Sequence, residues 1–370
     1  MADSRVEKLA RVLLEYSAPV RSGDLVHIEG SLPAAPLLRA MHRRVLEAGG
    51  HPHVRVGLEG LVEALLSHGT EAQLDWVNPS RYEEVRKADV RFVVDAPVNT
   101  RSLSGVDPER YARVGKARSQ LRDILMTRAA TGELHWNVTA FPTQAGAQDA
   151  ERSLAEYEDF VFGAGRLDED DPVAAWRAFG KTLHGLRDWL ATRSEIRVVA
   201  EGTDLTVGVA GRTWIACDGH ENFPDGEIFT GPVETSVTGE ISFTFPATHG
   251  GRSVEGVRLV FAGGEVVEAS ARKGEDFLRQ MLAMDAGARR LGEFSFGLNE
   301  SIQEHTRSTL FDEKIGGTIH AALGKAYPES GGQNESALHW DLVCDLRGGS
   351  EVYADGELVY RDGRFLDGGF

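Results

Sequence analysis

Apolar and polar positions follow two different rhythms along this chain of 370 residues, and the change falls near residue 193. In the first part, short apolar runs alternate with stretches of helical period. "DLVHIEG" (24–30) reads as a strand, and "PAAPLLRAMHRRVLEAGG" (33–50) as a helix stopped by Gly49 and Gly50. "HPHVRVG" (51–57) is the next strand, "VEALLSHG" another helix, and "ADVRFVVDAP" (88–97) a third strand. Residues 107–129, 145–162 and 176–193 keep the helical period. At the start of the chain Val6, Leu9, Ala10 and Leu13 share one helical face, with Ser4 placed to cap it. Strands alternating with helices predict an α/β domain over 1–193, built on a mostly parallel sheet.

From 194 to 370 the apolar runs shorten and Gly-rich turns separate them. "EIRVVAEG", "DLTVGVAG", "RTWIACDG", "TSVTGEISFTFPA", "VEGVRLVFAGGEVVEASARKG" and "SEVYADGELVYRDGRFL" read as hairpin strands. "GEDFLRQMLAMDAGARRLGEF" (274–294) reads as the one helix among them. This half is expected to be an α+β domain rich in antiparallel strands.

"SALHWDLVCD" (336–345) alternates most strictly. As a strand it puts Leu338, Trp340, Leu342 and Cys344 on one face, and His339, Asp341, Val343 and Asp345 on the other. A solvated strand face has the same pattern, so His339 and Asp341 need partners before they signify chemistry. Three other residues stand out. Glu227 lies in the Pro/Gly-rich loop "NFPDGEIFTGPVE", Glu293 just beyond a helix in "RRLGEFSFGLNE", and His320 in the apolar run of "LFDEKIGGTIHAALGKAYPE". Together these are three carboxylates and two imidazoles, a donor set that suits two divalent cations. Such a centre can polarise a carbonyl and generate a nucleophile at neutral pH. His220, His249 and Cys217 have no partners at ligand spacing, and surface or core roles suit them better. Lys314 reads as a solvated lysine.

Composition removes other classes. The net charge of −17 argues against nucleic acid and anionic lipid as partners. No apolar run is long enough to span a bilayer or to serve as a signal peptide, so no membrane role is expected. The two cysteines, Cys217 and Cys344, form no CxxC pattern, which makes a reducing cytoplasm the expected location. Neither GxGxxG nor GxxxxGK[ST] follows a strand, so a nucleotide-binding fold has no support.

The segments around these residues, with "SALHWDLVCDLR" and "VEGVRLVFAGGEVVEASARKGE", closely resemble the thermophilic, aminopeptidase T-like family of metalloaminopeptidases. "GDLVHIEG", "NTRSLSGVDPERYAR" and "HWNVTAFPT" extend the likeness through the N-terminal half. The resemblance implies peptide substrates, a homodimer, and two divalent ions (Zn, Co, Mn or Mg) on Glu227, Glu293, His320, His339 and Asp341. Hydrolysis needs a general base, for which Glu313 in "FDEKIGG", sharing a segment with His320, is the first candidate, and Glu293 the second if it binds metal through one oxygen only. Tyr327 matches a family active-site tyrosine able to donate to the tetrahedral oxyanion. The same fold is similar to a ring-cleaving dioxygenase. A single Fe(II) on His320, His339 and Asp341 is therefore the alternative, and Glu227 and Glu293 discriminate because a mononuclear site does not need them.

Overall fold

The computed structural model describes residues 3–366. The chain forms two compact units: residues up to Trp176 together with Gly219–Pro224, and Arg177–Asp218 together with the chain from Asp225 onward.

The first unit carries a five-stranded sheet in the order His51–Gly57, Leu25–Ser31, Val90–Asp95, His135–Ala140, Asn222–Phe223. Every neighbouring pair is parallel. Helices fill the crossovers that parallel strands require. Helix Ala35–Glu47, for instance, buries Leu37, Leu38, Ala40, Met41 and Val45 between the first two strands in sequence. Helix Ser4–Val12 buries Val6, Leu9 and Ala10 as expected, but its cap is Asp3, whose carboxylate accepts from the Arg5 N–H. The expected helical stretches 107–129 and 145–162 are each broken into two helices. The strands His135–Ala140 and Asn222–Phe223 add to the three read from sequence.

The second unit holds an eight-stranded antiparallel sheet, a two-stranded hairpin and a five-stranded antiparallel sheet. Its apolar core joins the inner faces of the larger sheets: Val198, Leu205, Ile241 and Leu259 from one, Phe294, Phe296, Ile319 and Leu342 from the other.

The division differs from a boundary at 193 for a packing reason. Helix Pro172–Leu190 starts in the first unit, where Trp176 packs on Phe223 with ring centroids 4.9 Å apart. Its later residues Leu183, Leu186 and Leu190 belong to the second core. An amphipathic stripe shows that a helix is buried on one side but not which core covers it. The segment 274–294 is also corrected. Its helix spans only Glu275–Leu282, and Leu291–Gly297 is a strand buried at every position.

Candidate metal centre

The five-stranded sheet of the second unit runs His339–Asp345, Thr318–Gly324, Leu291–Gly297, Glu227–Thr230, Ile215–Cys217. Its register decides which side chains share a face. Asp341 pairs with Ala322 and Ala322 with Glu293, while His320 pairs with Ser295 and Gly297 with Glu227. Side chains alternate across the pleat. Glu227, Glu293, His320, His339 and Asp341 therefore lie on one face, and Trp340, Leu342 and Cys344 point into the core. The strand read from "SALHWDLVCD" buries the expected face. Glu227, expected in a loop, instead opens a strand, and Glu293, expected beyond a helix, lies within one.

The five polar groups converge. His320 Nε2 is 3.2 Å from Glu293 Oε1 and 3.6 Å from Glu227 Oε2. His339 Nε2 is 3.6 Å from both Glu293 Oε2 and Asp341 Oδ1. Ligand atoms within 4.8 Å of one another form two sets, Glu227–Glu293–His320 and Glu293–His339–Asp341, with Glu293 common to both. Each imidazole is oriented by a carbonyl. The Nδ1 of His320 lies 3.1 Å from Glu313 O, and that of His339 lies 2.9 Å from Lys325 O. A carbonyl only accepts, so Nδ1 donates and Nε2 is turned toward the carboxylates, the arrangement that metal-ligating histidines use.

Two glycines make this possible. Gly226 has φ of 127°, a conformation open to glycine, and a Cβ there would lie 2.8 Å from the Asn299 side chain. At Gly297 a Cβ would fall 2.4 Å from Ile315 O and 3.0 Å from Glu313 O. The absent side chain lets the turn carrying Glu313 and Lys314 lie directly on the sheet.

Lys314, expected in solvent, is buried to 2 % exposure. Its Nζ is 2.6 Å from Glu313 Oε2 and 3.3 Å from Glu227 Oε1. A Lys next to a Glu in a loop carries no sequence signal of burial; the contact depends on the Gly297 approach. Cys217 is also corrected: its sulfur lies within 4.8 Å of carboxylate oxygens of Asp225 and Glu227, and burial pushes its thiol well above the ordinary range. His249 lines a cavity of about 220 Å³ together with His305, Arg307, Glu313, His339 and Asp341. His220 packs on Tyr16 in the first unit. The Tyr327 ring stands 5.0 Å from the His339 ring and 5.5 Å from Phe229. Burial, reinforced by Glu293 and Asp341, raises its hydroxyl above the ordinary phenol range, so it stays a proton donor.

The charge balance asks for cations. Glu227, Glu293, Glu313 and Asp341 face one ammonium, Lys314, which leaves three buried negative charges uncompensated when the imidazoles are neutral. Protons answer part of this deficit. Burial, with Glu313 and Glu293, drives the Asp341 carboxyl well above the usual range. Burial pulls His320 down, but the Glu293 hydrogen bond and Glu227 outweigh it and lift the imidazole to about 10. Glu227 Oε2 and Asp341 Oδ1 are buried without a hydrogen-bond partner. Buried acceptors of this kind are costly unless something coordinates them. The residues fit a centre for divalent ions.

An α/β unit, and an antiparallel unit that carries a buried carboxylate–imidazole cluster, define a metallohydrolase-type protein. A family model described as thermophilic metalloprotease (M29) matches residues 2–365, and the chain belongs to that family. It is a metal-dependent hydrolase of the aminopeptidase class. The chain is 29% identical to aminopeptidase 2 of Geobacillus stearothermophilus, covering 98% of this chain and 95% of that protein. It is 30% identical to aminopeptidase T of Thermus thermophilus, covering 97% and 95%. The solved structure of wild-type AmpT from Thermus thermophilus superposes with a TM-score of 0.85 at 27% identity, covering 98% of this chain and 99% of that one. Among the described residues no helix is long and apolar enough to cross a membrane.

Proposed function

We propose that the protein removes N-terminal residues from peptides at a centre holding two divalent ions of zinc, cobalt, manganese or magnesium. One observation carries the reading: Glu293 turns Oε1 toward His320 and Oε2 toward His339. Glu227, Glu293 and His320 would hold one ion and Glu293, His339 and Asp341 the other. The single-ion iron alternative would need His320 to join His339 and Asp341 in one set. The two histidines instead fall in different sets, and Glu227 and Glu293 would have no task.

Ions held there would supply Lewis-acid activation of the scissile carbonyl and of a water. The chain's own groups do the rest. Glu313 takes the water's proton and returns it to the leaving amine. Lys314, 2.6 Å away, offsets the burial of that carboxylate and holds it below its ordinary range, ready to accept. The Tyr327 hydroxyl, beside the His339 ring, donates to the oxygen that gains charge. The carbonyls of Glu313 and Lys325 keep both imidazoles facing inward.

A carboxylate-rich site suits a substrate that presents a free α-amine. Blocking that amine is therefore expected to abolish turnover: a peptide cleaved readily becomes inert when N-acetylated. Equal rates for the two peptides, followed by chromatography of the released residue, would rule out the aminopeptidase reading.

The likeness to the aminopeptidase T-type family also motivates a homodimer, and the free Cys217 and Cys344 suit a reducing cytoplasm. Light scattering at micromolar concentration is expected to return twice the chain mass of 40.3 kDa; a monomer would remove the dimer from the proposal.

A further inference from the structure

We propose that His27, His53 and Glu84 form a separate site for one divalent transition-metal ion, zinc being the natural probe, on the face of the parallel sheet. His27 and His53 are direct register partners on the adjacent parallel strands Leu25–Ser31 and His51–Gly57. Their rings stack with centroids 5.1 Å apart and planes 17° off parallel. Glu84 comes down from helix Pro79–Lys87, with Oε2 3.7 Å from His27 Nε2. One ligand atom from each residue lies within 4.8 Å of the others.

Two further observations point to a ligand. His27 is only 2 % exposed, and neither of its ring nitrogens has a hydrogen-bond partner. Glu84 Oε2 is likewise buried without one. Both imidazole nitrogens of a buried histidine are normally satisfied, and coordination satisfies one at once. His53 is exposed, which opens the site to ions from solvent.

The surrounding charge selects the kind of ion. Arg91 Nη2 lies 3.2 Å from Glu29 Oε2, Arg55 also pairs with Glu29, and Arg81 Nε lies 3.3 Å from Glu84 Oε2. Three guanidinium groups against two carboxylates leave the neighbourhood positive. Hard ions that bind through oxygen and charge, such as calcium and magnesium, are disfavoured. The same repulsion acts on any divalent ion, but one that bonds strongly to imidazole nitrogen offsets it through His27 and His53, which points to zinc or its neighbours. Its role would be to tie the exposed edge strand His51–Gly57 to the next strand and to the helix above. These residues all belong to the first unit, whereas the catalytic cluster belongs to the second.

The test is zinc stoichiometry by equilibrium dialysis of the full chain, wild type against His53→Ala and Glu84→Gln. Each variant is expected to bind one zinc fewer per chain than wild type, with aminopeptidase turnover unchanged. Ions at the catalytic centre cancel in the difference, so this result is independent of how many reside there. Equal stoichiometry in all three proteins would overturn the site. Loss in His53→Ala alone would reduce it to a surface histidine and overturn it equally. Circular dichroism matching wild type certifies that each variant is folded.

Discussion

Glu293→Ala is expected to strip both ions from the catalytic centre and abolish hydrolysis. Among the described residues Glu293 is the side chain whose two oxygens face different histidines, at 3.2 Å and 3.6 Å. In the proposed two-ion centre, removing it would take a ligand from both ions at once and leave each with two. A metal centre supplies several kcal/mol of transition-state stabilisation, and each ~1.4 kcal/mol is tenfold in rate, so turnover should fall by roughly 10³-fold or more. Glu227→Gln is the informative comparison. Of the two sets that share Glu293 it belongs only to that of His320, so it should weaken one ion and leave the other. Metal analysis after dialysis, paired with turnover of aminoacyl chromogenic substrates, reads both variants. If Glu293→Ala kept two ions per chain, the shared-carboxylate arrangement would be wrong. If Glu227→Gln kept full activity with a single ion that required oxygen, the iron alternative would return.

Glu313→Gln should act differently, lowering kcat by about 10²–10⁴-fold with the ions retained. Glu313 is absent from both ligand sets, yet it lines the cavity beside His339 and Asp341 and pairs with Lys314 at 2.6 Å. Glutamine preserves shape and the bond to Lys314 but cannot take up the water's proton. The separation of metal content from turnover is the signature of a proton-transfer group. If kcat fell less than tenfold, the base would have to be sought elsewhere, with Glu293 next in line. If metal content fell in step with rate, Glu313 would be acting through the ions.

Local patterns carried much of the architecture. The period-2 run His339–Asp345 placed Trp340, Leu342 and Cys344 on the core side and His339 and Asp341 on the other, because a pleated strand leaves no third choice. The strand–helix alternation of the first half was legible for the same reason: parallel strands need crossovers, and the crossovers are amphipathic. Glu293 was misplaced because Ala283, Met284, Ala286 and Ala288, between helix Glu275–Leu282 and strand Leu291–Gly297, include good helix formers at spacings that a helix also shows, so period alone does not mark the break. Asn222–Phe223 was invisible as a strand because two residues carry no period at all.

What the sequence determined by itself was the set of residue types, the alternation that sorts each strand's faces, and the family resemblance. Those follow from covalent order and local sterics. Only the tertiary structure decided that Glu293 stands between two histidines, that Lys314 is buried against Glu227 and Glu313, and that His27 sits beside His53 and Glu84. Each depends on register between strands distant in sequence, or on a close approach such as that of the 313–315 turn to Gly297. A one-residue slip in register would turn every ligand on a strand to the opposite face, so the site exists only where the whole sheet agrees.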